Sequence, residues 1–272
     1  MELTRSVNAQ TFSGALTDPA GPLDLDFSRA SFVEPIGFAG SAALVDAAVR
    51  EGRQVSFRSP SDQNVQNYMS RMGFGDMLES FGVNSSLPKV NRNDLSGELL
   101  ELSKFSGEAG GEDLAELVYS KLEQTTTDNS VRETLHSAIC ELAANVYAHA
   151  EVESGFVAAQ STHKGTRIMF AIADSGQGLK RSLERNRNLA INDDLNALML
   201  AVQPNISATA EKGRGQGLSD VVASATNLGG TVTITSGTHQ TIHTKMNVSN
   251  KPLQGYYQGT MIQVELDCVP GN

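Results

Sequence analysis

Residues 131–150 read VRETLHSAICELAANVYAHA, and the reading of this stretch decides where the rest of the chain belongs. Leu135, Ile139, Leu142 and Val146 recur at helical spacing, so the segment is a helix with one aliphatic stripe. Glu141, Asn145 and His149 stand at i, i+4 and i+8 and line up along another side of the same helix. An asparagine offers its carbonyl oxygen to a hard cation such as Mg²⁺, and a glutamate can orient or deprotonate a nucleophile. A solvated helix face accounts for the same three residues, so the helix alone leaves both readings open.

Downstream, residues 167–179 (RIMFAIADSGQGL) form an apolar strand running into Asp174, Gly176 and Gly178. A carboxylate at a strand end can accept a hydrogen bond from an amino group on a flat ring, and flanking glycines let backbone come close. A plain turn gives the same D-x-G-x-G pattern. Residues 211–222 (EKGRGQGLSDVV) then place Gly213, Gly215 and Gly217 directly before a helix, where free amides and the positive helix end receive anions. The spacing fits neither a dinucleotide fingerprint nor a Walker loop, and the chain has no G-x-S-x-G elbow or kinase H-R-D set.

Around these motifs the pattern predicts helices at 112–124 and 217–228, and strands at 155–160, 167–173, 231–235 and 260–266. That is a two-layer α/β sandwich. Upstream, strands at 23–27 and 54–58 flank a small-residue helix at 38–50, a βαβ unit followed by a helical stretch at 64–74. Residues 85–111 read as a linker holding one strand at LLELSKF. With the boundary near residue 95, the expected domains are 1–95 and 96–272, an α+β chain.

Composition sets the class. The 272 residues are 39% hydrophobic and 19% charged, with a net charge of −10 spread over both halves, so no nucleic-acid partner is expected. Cys140 and Cys268 form no disulfide framework or metal spacing. The N-terminus MELTRSVNAQ has no apolar core and no run approaches a membrane span, which predicts a cytoplasmic protein with no membrane contact. His239 and His243 lie in a region that reads as β, where four residues span roughly 13 Å, too far to share a metal without a turn. His136 lacks the surroundings of a phosphoacceptor helix.

Polar helix, D-x-G-x-G, G-x-G-x-G opening a helix, and a last strand at Gly259-Thr260 come in an order that resembles the GHKL superfamily. Its ATP site is the Bergerat fold of DNA gyrase, mismatch-repair ATPases, histidine kinases and anti-sigma-factor serine kinases. The resemblance covers residues 105–268 and implies ATP and Mg²⁺ as cofactors. It makes Asn145 the metal ligand, Glu141 the general base and Asp174 the adenine contact. Gly176 and Gly178 become the turn beneath the nucleotide, Gly213, Arg214, Gly215 and Gly217 the phosphate loop, and Thr260 a second contact near adenine. Residues 179–212, with Lys180, Arg181, Arg185, Arg187 and Lys212, would be the ATP lid. His149 is expected to pack or to support its neighbours.

The N-terminal unit resembles, less closely, the STAS domains of anti-anti-sigma factors. Where those carry an Asp-Ser turn with a phosphorylated serine, this chain has Glu34-Pro35-Ile36-Gly37 and no acceptor hydroxyl. The two resemblances together imply an ATP-dependent regulatory switch with slow hydrolysis, meeting a protein partner through the STAS-like half. Gyrase-like relatives complete their site with a lysine from a following domain, a role that a homodimer or partner would have to fill here. A serine/threonine kinase acting in trans and a non-catalytic interaction module are the alternatives.

Overall fold

Alternating apolar strands need a covering layer, and the chain supplies one helix that covers two sheets at once. The computed structural model describes residues 1–17, 20–90, 99–125, 128–162, 166–206 and 217–268, with backbone only at 99, 108, 109, 124, 125 and 149. The first sheet is parallel, in the order β1 (Glu2–Val7), β2 (Leu23–Val33), β3 (Val55–Arg58), with α1 (Ala9–Gly14) and α2 (Pro35–Arg50) as connections. Two helices, α3 (Gln63–Arg71) and α4 (Phe74–Ser80), follow. Gly73 stands between them at φ +77°, where a side chain would strain the backbone.

The second sheet is antiparallel throughout. It is built from β4 (Leu99–Ser106), β5 (Ser154–Thr162), β6 (Arg167–Asp174), β7 (Thr231–Thr244) and β8 (Val248–Asp267), in the order β4-β5-β6-β8-β7. Between the strands run α5 (Gly107–Thr125), α6 (Asn129–His149), α7 (Gly178–Leu183), α8 (Asp194–Ala201) and α9 (Gly217–Asn227). The α+β class expected from the sequence is the class observed.

Period-two alternation sorts the second sheet's side chains onto two faces. Ile168, Phe170 and Ile172 of β6, with Ile262, Val264 and Leu266 of β8, join the core made with α5, α6 and α9. Ala171 and Ala173 of β6, with Met261 of β8 and Phe156 and Ala158 of β5, join the core made with α2 and the first sheet. The sandwich predicted from the sequence therefore gains a further layer. A strand apolar on both faces asks for that, and β5 and β6 are such strands.

Small residues let α2 sit between two sheets. It is buried along nearly its whole length, and a Cβ at Gly40 would come within 2.8 and 2.9 Å of the Phe12 ring and 3.2 Å of Met261 Sδ. Buried polar groups along this seam find partners. Gln263 Nε2 donates to Glu34 at 3.0 Å and to Glu265 at 2.9 Å, its Oε1 accepts from the Ile36 amide at 3.3 Å, and Tyr68 Oη donates to Gln160 at 2.6 Å. Burial raises the Glu34 carboxyl above its ordinary pKa.

The predicted and observed elements differ in extent. β1 and α1 were not expected, and β7 and β8 run on into a long hairpin arm beyond the predicted 231–235 and 260–266. The arm's sequence, THQTIHT and NKPLQGYYQ, is polar and carries glycine and proline, so its composition resembles loop. β4, placed in a linker by the sequence, is an edge strand of the second sheet; the expected boundary near 95 falls outside the described residues. Among the described residues no helix is long and apolar enough to cross a membrane.

Candidate functional site

Asp128 caps α6, its carboxylate accepting from the amides of Ser130 at 3.0 Å and Val131 at 3.3 Å. From that start the helix buries Leu135, Ile139, Leu142 and Val146 against the second sheet, which leaves Glu141 exposed and Asn145 half-buried on another side. Both reach the first residue of α9. A Cβ on Gly217 would overlap Glu141 Oε2 and stand 3.7 Å from Asn145 Nδ2, so both side chains lie against the helix start. Three of the sequence-predicted residues thus meet, from positions more than seventy apart in the chain.

Farther along, α6 ends against the loop that follows β6. The Gln177 amide donates to the carbonyl of Ala150 at 2.9 Å, and Gly176 lies so close to that carbonyl that a Cβ would overlap it. At about 1.5 Å per residue, Asn145 and Ala150 are roughly 7.5 Å apart along the helix axis. One helix therefore carries the acid and amide at one level and the D-x-G-x-G loop at another.

Asp174 is 4% exposed. Burial pushes its carboxyl up to about 7, opposed by hydrogen bonds from the backbone amides of Gly176 and Thr260 and by the positive charge of Arg50. The Gly176 bond is 2.8 Å. Thr260 thus meets Asp174 through its amide, as β8 lies beside β6. Gly178 opens α7 at φ +76°, and the Ser236 hydroxyl closes the back of the loop by accepting from the Leu179 amide at 3.0 Å and donating to the Gly259 carbonyl at 2.8 Å. Tyr257, fully buried, donates to the Asp174 carbonyl at 3.4 Å.

Gly213, Arg214, Gly215 and Lys212 lie outside the described residues, as does the side chain of His149. The described part of the expected lid holds α7 and α8, and buries Leu183, Ala197, Leu198 and Ala201 in the core. Asp193 caps α8, and Asp194 accepts from the amide and hydroxyl of Thr238 on β7 at 2.9 and 2.7 Å. Two of the lid cations are paired: Lys180 with Glu184 at 3.7 Å, and Arg185 with Glu151. Leu183, Ala197, Leu198 and Ala201 thus tie α7 and α8 to the same core as α6.

His239 and His243 both lie on β7 and bond to Thr238 and Thr241. His136 stacks edge-on against Tyr119 at 5.7 Å. Burial raises the Cys140 thiol, with Glu112 and Glu141 adding to the effect.

Ser175, Ser236 and Tyr257 around Asp174 had not been singled out from the sequence. Serines beside glycines are common turn residues, and a tyrosine in a polar arm carries no mark of burial. No protein-family model matches the chain, and no curated protein matches it.

Proposed function

We propose that the chain binds Mg²⁺-ATP on the α6 face of the second sheet and acts as a slowly hydrolysing, nucleotide-dependent switch on a protein partner. One observation carries the reading: Glu141 and Asn145 converge on the start of α9 while the same helix's end holds the loop of the buried Asp174. The chemistry of the donor set fits the ligand. A buried carboxylate can accept from the adenine amino group, an asparagine oxygen suits Mg²⁺, and the amides opening an eleven-residue helix suit phosphate. The cation would offset the triphosphate's charge in an acidic chain. Glu141, exposed beside Asn145, is the group to orient or deprotonate an attacking water.

The N-terminal turn supports a switch over self-phosphorylation. Glu34 and Ile36 are bonded to Gln263, on the face of the second sheet turned away from α6. The sheet itself stands between that turn and Glu141. Exposure of Glu141 favours one second reading, phosphoryl transfer to a hydroxyl on a separate protein. Phosphate release from Mg²⁺-ATP, measured beside transfer of γ-labelled phosphate to copurifying proteins, separates the two. Absence of nucleotide binding would leave a non-catalytic interaction module.

A further inference from the structure

The loop that carries Asp174 is held from outside the second sheet's own unit. Ser175, 1% exposed, donates its hydroxyl to Asp46 Oδ2 at 2.6 Å. Arg50 Nη2 donates to the Ser175 hydroxyl and to its carbonyl, both at 2.8 Å, and Arg50 Nε donates to Asp46 Oδ2 at 3.0 Å. Both the backbone and the side chain of the residue next to Asp174 are thus fixed by one ion pair near the end of α2. On the loop's other side the Gly176 amide is bonded to the Asp174 carboxylate.

We propose that Asp46 and Arg50 are positioning residues for the Asp174 carboxylate, so that the N-terminal unit completes the base-recognising part of the nucleotide site. The proposal rests on the nucleotide reading above and adds to it the part that sets base selectivity. A carboxylate held at one place discriminates sharply, because adenine presents an amino donor where guanine presents a carbonyl oxygen, which a carboxylate repels. A loosely held carboxylate can turn away from the wrong base and loses that discrimination. Coupling between two units is reciprocal, so nucleotide that engages Asp174 also tightens the seam at α2, which gives the switch a route to the N-terminal unit.

Calorimetric titration of the full chain with Mg²⁺-ATP and with Mg²⁺-GTP tests this in the wild type, Arg50→Ala, Arg50→Lys, Ser175→Ala and Asp174→Asn. Arg50→Ala is expected to weaken ATP about tenfold, within the range of coupled sites, and to narrow the ATP-over-GTP preference. Ser175→Ala, which removes one hydroxyl and keeps the backbone bond, should show a smaller change of the same kind. Arg50→Lys should recover part of the preference, which a purely structural loss would not do. ATP affinity and base preference unchanged in both Arg50→Ala and Ser175→Ala, with Asp174→Asn impaired, would overturn the clamp alone. A wild-type chain that binds no ATP would overturn the nucleotide reading and the clamp together.

Discussion

The second sheet has two faces, and they solve opposite problems. On the α6 face, the aliphatic stripe of the helix is buried while Glu141 and Asn145 stay accessible beside Gly217. On the α2 face, small residues pack the helix against the sheet, and the half-buried carboxylates of Glu34 and Glu265 both accept from Gln263. On the proposed reading, the same strands would serve chemistry on one side and attachment on the other. Asp174 and Ser175, neighbours at the end of β6, are where the two faces meet.

The strongest way to break the contrast is at Glu141. Glu141→Ala should lower phosphate release by about a hundredfold or more, the usual range for a general base, while ATP affinity stays close to that of the wild type. Unchanged release would remove Glu141 from the chemistry. Next comes Asp174→Asn, which should weaken ATP binding by about ten- to a hundredfold, as loss of a charge-assisted hydrogen bond implies. Equal isotherms for variant and wild type would refute the adenine contact.

Acidity sharpens the same point. The fold raises the Asp174 carboxyl from 3.8 to about 7, so it favours the protonated form; that contribution to stability is full below the unfolded value and is lost as pH rises through about 7. An adenine amino group accepted by Asp174, as proposed, would need the ionised form and so would work against the fold's preference. ATP affinity should therefore climb roughly tenfold from about pH 6 to about pH 8, and the part due to Asp174 should vanish in Asp174→Asn. Titrations of both proteins across that range check it.

On the α2 face the expected effects are smaller and of another kind. Gln263→Ala, which strips the partners from Glu34 and the Ile36 amide, should cost about 1–3 kcal/mol in urea unfolding and lower ATP affinity far less than Arg50→Ala does. A large fall in affinity would mean that the two faces are not separable there. On the other face, in α7, Lys180→Ala breaks an exposed pair and should change stability by less than about 1 kcal/mol.

Much of the α6 face was legible in the sequence because its signals are local. A helical stripe, a strand ending in D-x-G-x-G and a glycine before a helix each occupy a few consecutive residues. The seam was not legible in the same way. Ser175 meets Arg50 and Asp46 across separations of 125 and 129 residues, and neither partner stands in a recognisable pattern. A trace of the second layer was present in the two-sided apolar runs FVAA and IMFAIA, which ask for cover on both faces. The hairpin arm was hidden by its own composition, since several of its buried positions are polar: Gln240 and Thr241 are fully buried, and Gln240 donates to Ala9 and Ser13 of α1.

Amide hydrogen exchange of the full chain with and without Mg²⁺-ATP tests the central claim most directly. New protection is expected at α6, in the loop following Asp174 and at the start of α9. Protection confined to the first sheet and α3, or none at saturating nucleotide, would contradict it.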